Sequence, residues 1–271
     1  MKSNRMLYLL TLACVCISAP GAAVADGQEE LYRATVIVTG EREETRIPGL
    51  RSAFETMMSK VSGQPDIASN AKFAHWSSMV PSFVWSYTYH DRFFGRPIHD
   101  EQGTRDRPFD LTVQFEPSAI NDILADMNEK AWPEPRPILA TVIEVKWPTR
   151  RYMLSVNGRQ GIDQRESLLN ASRRFGVPIA LVSPDASAVG AEADSFVPMD
   201  EATLEKIAKA SGTQHVLVGQ IAWSENDLGW VGTWQLWSET YSERWSVRGV
   251  SFDAAFRDAI GGAAQVLSHR S

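Results

Sequence analysis

The stretch HDRFFGRPIHDEQGTRDRPFD gathers His90, Asp91, His99, Asp100, Glu101, Asp106 and Asp110, the side-chain types from which zinc sites are made. Two imidazoles and a carboxylate would suffice, but a fixed period such as His-x-x-x-His or His-Glu-x-x-His is needed to hold them on one face, and none is present. The stretch reads as a solvated loop between strands, so no metal is expected. Glu239 and Glu243, beside Trp237 and Trp245, could line a sugar groove with the two facing carboxylates that glycoside hydrolysis requires. Flanking a β-turn, they read as solubilising charge. Ser155 in SVNG and Ser183 in VSPD lack the Gly-x-Ser-x-Gly turn of a hydrolase nucleophile. NGRQG, at 157–161, lacks the Lys-Ser/Thr of a phosphate cradle and reads as a turn rather than a strand-to-helix loop. The expectation is a protein without catalytic residues or cofactor, not an enzyme. The rival is a cell-wall or carbohydrate hydrolase using Glu239 and Glu243 or the His90 and His99 loop.

The opening 25 residues place Lys2 and Arg5 before an apolar run from Met6 to Ile17, then Pro20 and the small triplet Ala23, Val24, Ala25. This is the order of a secretory leader, with cleavage expected after Ala25, and the run is short of the roughly 20 residues that cross a bilayer. A lipid anchor at Cys14 is disfavoured because Thr11 stands where a lipobox usually carries Leu. Cys14 and Cys16 both fall inside the leader, so the exported chain is expected to fold without disulfides, thiol nucleophiles or thiolate metal sites. Loss of Lys2 and Arg5 takes the formal charge from −6 to −8. That sign argues against nucleic acid and against an anionic membrane surface. The expected home is the periplasm, with no transmembrane segment in the exported chain.

Hydrophobic periodicity divides the remainder in two. LYRATVIVTG reads as a strand, and Ile47, Leu50, Phe54, Met57 and Val61 recur at helical spacing up to a stop at Gly63. A short helix over 70–79 follows, then SFVWSYTYH, an alternating strand with Phe83, Trp85, Tyr87 and Tyr89 on one side. PFDLTVQFEP is its partner, and a third helix runs through Ile120, Ile123, Leu124 and Met127. WPEPRP, with three prolines, ends that helix and marks a boundary. The expected organisation is a leader at 1–25, a first α/β domain at 26–131, a linker at 132–137 and a second α/β domain at 138–271. The second contains ILATVIEVKW, apolar enough to be covered on both faces, a helix over 163–175, the strand VPIALVS, a helix capped by Asp200, three strands and a last helix over 252–267. The fold class is α/β (α+β), two small mixed domains. The first has the order strand-helix-helix-strand-strand-helix. The second is a mixed sheet with helices mainly on one face.

Tryptophan is concentrated in HVLVGQIAWSENDLGWVGTWQLW. By strand parity Trp230, Gly232, Trp234 and Leu236 share one face, and Val231, Thr233, Gln235 and Trp237 the other. Trp223, Trp230, Trp234 and Trp245 are expected in a helix-covered core. Trp237, Arg244 and Arg248 are expected to point together away from it and form a contact surface, since tryptophan and arginine dominate interface energetics.

LYRATVIVTG, MMSKVSG, SFVWSYTYH, the W-x-x-x-RP junction of Trp132, Arg136 and Pro137, and SGTQHVLVGQIAW with GWVGTWQLW together resemble the proteobacterial DUF2066 family, which has no established activity. Met58, Ser59 and Lys60 stand where that family often carries a more basic lead into its helix end. The second half, through Ala208 to Gly219 and Trp230 to Leu236, is similar to the amino-terminal domain of periplasmic TolB proteins and to outer-membrane activators of penicillin-binding proteins. The first half is similar in element order to POTRA-type modules and to the first domain of the flagellar H-ring protein T. These are envelope binding modules, so the resemblance implies an envelope protein partner, with peptidoglycan contact as a further option. Fold likeness bears only weakly on function.

Overall fold

The computed structural model describes residues 29–95, 107–182 and 198–270. The leader, the middle of the histidine-containing loop and Ser183 lie outside these residues.

Chain order begins with β1 (Arg33–Thr39) and α1 (Glu43–Ser62). Glu43 and Glu44 in the first turn of α1 complement its dipole, and Leu50, Phe54, Met57 and Val61 are buried at the expected spacing. Gly63 ends the helix at φ 74°, its N–H bonded to the Ser59 carbonyl, and a Cβ there would lie 2.6 Å from Ser268. Conformation and space both demand glycine. Instead of one helix over 70–79, short 3₁₀ turns at Ile67–Ser69 and Val80–Phe83 flank α2 (Phe73–Ser78). β2 (Val84–Asp91), β3 (Pro108–Phe115) and α3 (Pro117–Asp126) complete this half.

These strands form an antiparallel sheet in the order β1-β3-β2. One face, carrying Ala34, Val38, Leu111 and Val113, packs under α1 around Phe54. The other face carries Thr35, Thr112 and Thr88, and among the described residues no helix packs over it. The expected alternation of β2 fails at one position. Pairing shifts between Val84 and Ser86, so Phe83 is buried while Trp85 stands 72% exposed.

The second half follows residues 132–137. It comprises β4 (Leu139–Trp147), β5 (Arg150–Met153), α4 (Ile162–Phe175), β6 (Ile179–Leu181), α5 (Glu201–Ser211), β7 (His215–Ser224), β8 (Gly229–Ser238), β9 (Tyr241–Val250) and α6 (Phe252–Arg270). The six-stranded sheet has the order β5-β4-β7-β8-β9, with β6 also parallel to β4. α4 and α6 cover one face, over Leu139, Ile143, Leu217, Trp230 and Trp234. α5 covers part of the other, over Ala140, Val142, Val216 and Val218. Asp200 caps α5 by accepting from the Thr203 N–H at 3.0 Å. The molecule is thus an α/β assembly of one antiparallel and one mixed sheet with their helices, of the class the periodicity implied.

The tryptophan concentration has a packing reason. A Cβ on Gly219 or Gly232 would lie 2.1 or 2.6 Å from the Trp234 indole, so that ring rests flat across two glycines of neighbouring strands. Its Nε1 donates to Asp258 at 2.9 Å, which allows complete burial without an orphaned donor. Trp245 fits against Gly262 of α6 in the same way and donates to the Asp258 carbonyl oxygen. Small residues on the helix and strands make the space that the rings fill.

Arg136 joins the halves. Its guanidinium donates to the carbonyls of Lys60 (2.7 Å) and Val61 at the end of α1, and to those of Phe175 (3.0 Å) and Gly176 at the end of α4. Helix ends leave carbonyls unpaired and carry partial negative charge, and one planar fork here satisfies two of them. Trp132 stacks on the same cation at 4.4 Å. Burial pulls the guanidinium down to about 10, with Glu134 opposing.

Candidate functional site

The residues singled out from sequence are not assembled as expected. Trp237 is buried, 5% exposed, among Ala140, Val142, Leu204, Ile207, Val216 and Val218. Its placement on an exposed surface is therefore corrected. Parity assigned its face correctly, but that face also has a helix, because α5 lies across the β4–β7–β8 side opposite α4 and α6. Arg244 and Arg248 are exposed on the part of this face that α5 leaves open, and Arg248 is clamped to Asp227 by bonds of 3.1 and 2.9 Å. Arg248 thus closes a hairpin. Trp223 and Trp245 are only partly buried at the margin of the core that encloses Trp230 and Trp234.

Glu239 and Glu243 have separate surroundings, and His99 of the other alternative lies outside the described residues. Glu243 pairs with Arg270 at 2.8 Å and borders a depression different from the one beside Glu239, so these carboxylates do not share a groove. His90 is exposed on β2, while Asp91 pairs with Arg107 and Asp110 with Arg92. The Phe93 backbone N–H, followed by Arg107, holds the Asp91 carboxyl below its usual range. Among the described residues no three His, Cys, Asp or Glu groups converge as metal ligands would. The 157–161 loop does lead from β5 into α4, contrary to the sequence reading. It carries no lysine or hydroxyl toward an anion; instead Arg165 folds back onto the carbonyls of Ser155 and Gly158. Among the described residues the Asp258 carboxyl is raised above its ordinary range by burial, opposed by the indole donors of Trp234 and Trp245. Those bonds give it a structural task.

Two surfaces stand out instead. On the open face of the first sheet, Trp85 overlooks a shallow hollow floored by Ser86, Thr88, Thr112 and Gln114, with Arg33 at one side. Phe94, just beyond β2, is 82% exposed, whereas Tyr87 pairs with Val113 on the helix-covered face and lies under Arg46. Such aromatic exposure in a polar setting is the composition of contact surfaces.

The other surface is a cleft of about 500 Å³ between the halves, bounded by β1, α1, α4 and α6. Arg33, Lys60, Arg92, Arg173, Arg174 and Arg257 line it against only Glu30 and Asp253. The sign is opposite to that of the whole chain, whose formal charge is −6. Several of these cations are held in place. Arg174 donates to the Thr56 hydroxyl at 3.1 Å, and Lys60 donates to the carbonyls of Glu30 and Arg33. Burial lowers the Arg174 guanidinium, with Glu55 opposing and Arg257 adding like-charge repulsion. Burial likewise brings the Lys60 ammonium down to about 8. Sequence reading missed this cleft because its cations come from positions 33 to 257 and no local charge run announces them.

Comparison with known proteins bears on the first half. Residues 25–133 match the model of a family described as "Domain of unknown function (DUF8605)". This overturns the DUF2066 assignment. The motifs quoted for it record strand and helix-end patterns that unrelated families share, such as a glycine-stopped helix after a β-branched strand. No curated protein matches the chain. Among solved structures, TolB from Acinetobacter baumannii is similar at 20% identity and a TM-score of 0.25, over 49% of this chain and 29% of that chain. A likeness of that size carries no argument, and the chain spans less than a third of that relative. Among the described residues no helix is long and apolar enough to cross a membrane.

Proposed function

We propose that the protein is a non-catalytic binding or scaffold component of the bacterial envelope, exported to the periplasm by its leader and acting through protein–protein contact on its first sheet. The observation that carries this reading is the uncovered sheet face with Trp85 at 72% exposure, next to strand edges that neither half of the molecule pairs. A tryptophan held out at a β-bulge contributes nothing to the core, and rigid aromatic anchors are what contact surfaces are built around. The separate surroundings of Glu239 and Glu243 support binding over turnover.

The test is crosslinking in cells of the native host with the tagged full-length chain, followed by capture. A discrete protein partner is expected, with Trp85→Ala reducing capture while the melting temperature stays unchanged. Incubation of the purified protein with peptidoglycan fragments runs alongside. Product formation that disappears on changing Glu239 or Glu243 would replace this reading with the hydrolase.

A further inference from the structure

We propose that the cleft between the two halves receives an extended acidic segment of a partner protein, which adds to the outer edge of β1 as a fourth strand. This rests on the protein-binding reading above and names its partner chemistry and its place.

The hydrogen-bond pattern of the sheet defines the edge. The Phe115 N–H donates to the Tyr32 carbonyl and the Gly40 N–H to the Arg107 carbonyl. With Arg33 opposite Gln114 and Val38 opposite Phe109, residues 34, 36 and 38 therefore bond to β3. Arg33, Thr35, Ile37 and Thr39 turn their N–H and C=O groups the other way. The Arg33 carbonyl is already used, accepting from Lys60 Nζ at 2.7 Å, so that ammonium marks where an added strand must begin. Thr35 and Ile37 follow, and both line the cleft. Ile37 is 60% exposed in that position, an apolar side chain at an edge, where a strand would cover it.

A ladder over so few residues binds weakly by itself, and the surroundings supply the remainder. Arg173, Arg174 and Arg257 stand on the wall opposite the edge, from α4 and α6, and supply the charge, since Arg33 and Arg92 on the sheet side are already paired with Glu29, Glu30 and Asp110. An extended peptide sends alternate side chains to opposite sides, so carboxylates at every second position can meet this charge while the backbone pairs with β1. Strand addition requires a polypeptide backbone, which sets a peptide apart from a nucleic acid or a free anion of equal charge.

A fluorescein-labelled octapeptide of alternating Glu and Val, titrated into the purified full chain and followed by anisotropy, tests this. Saturable binding is expected, weakening as salt rises, with an alternating Lys and Val peptide at least tenfold weaker. The doubly substituted Arg173→Gln, Arg257→Gln protein should bind at least tenfold less tightly; both side chains are exposed. A Glu and Val peptide N-methylated at alternate residues should lose a similar factor, and this arm leaves the protein untouched. Amide exchange at Thr35 and Ile37 should slow on binding. Equal binding of the N-methylated peptide would overturn the proposal. So would displacement by citrate or a single-stranded oligonucleotide at the same concentration, either of which makes the cleft an anion site without strand addition. Should the peptide fail while Trp85-dependent capture in cells succeeds, this site falls and the binding reading stands. Failure of both removes both.

Discussion

The two sheets treat their aromatic residues in opposite ways. In the second, Trp230, Trp234 and Trp237 are all below 6% exposure, lying under helices on one face or the other, and Trp234 has glycines beneath it and a carboxylate for its N–H. In the first, the phenylalanines fill the core around Phe54, whereas Trp85 is turned out by a bulge. A sheet with helices over both faces uses tryptophan for cohesion. A sheet with one face bare can offer it to something else. On this contrast rests the proposal that recognition belongs to the first half and the junction, with the second half as their support.

The largest effect is expected where this cohesion is concentrated. Trp234→Ala empties the space between two glycine strands and strands the Asp258 carboxyl without its donor, and should lower stability by about 4 kcal/mol in urea denaturation. A loss below 1 kcal/mol would mean that the second sheet is not held by its rings. Trp237→Ala should cost about 3 kcal/mol by the same measurement, because α5 loses the ring it packs on. An unaltered midpoint together with weakened partner capture would return Trp237 to a surface.

Arg136→Ala tests the junction and should cost on the order of 3 kcal/mol, since carbonyls at two helix ends lose their donor. Lysine should not restore it, having no planar fork.

Lys60 gives a smaller, pH-dependent signal. Its folded value of about 8 lies below the ordinary 10.5, so between these values the unfolded chain retains a proton that the folded protein has released. Stability from this group therefore rises with pH across that window. Relative to Lys60→Met, the protein should gain on the order of 2 kcal/mol between pH 7.5 and 10. A flat difference would show the ammonium to be as well solvated in the cleft as in water. Trp85→Ala completes the series with a change within about 0.5 kcal/mol. A larger loss would place that ring in the core and erase the difference between the sheets.

Element types and order were legible because they depend on local period and punctuation. The α1 stripe from Leu50 to Val61 closed by Gly63, the Asp200 cap and the doubly covered β4 all follow from neighbours within a few residues. What escaped depended on longer range. Nothing in GWVGTWQLW states that α5 would fold back over the second face, so Trp237 was placed outside although its parity was right. The bulge at Val84 and Ser86 breaks an alternation that looks unbroken in SFVWSYTYH. The basic cleft is a product of assembly, drawing its six cations from β1, α1, the turn after β2, α4 and α6. Glu239 and Glu243 are close in sequence, whereas their side chains have different surroundings: Glu243 is held by Arg270.

One guanidinium grips the tails of α1 and α4, which spring from different sheets. A pull exerted on β1 would travel down α1 through Arg136 into α4 and the six-stranded layer, so the molecule answers mechanical load as a single stiff bracket.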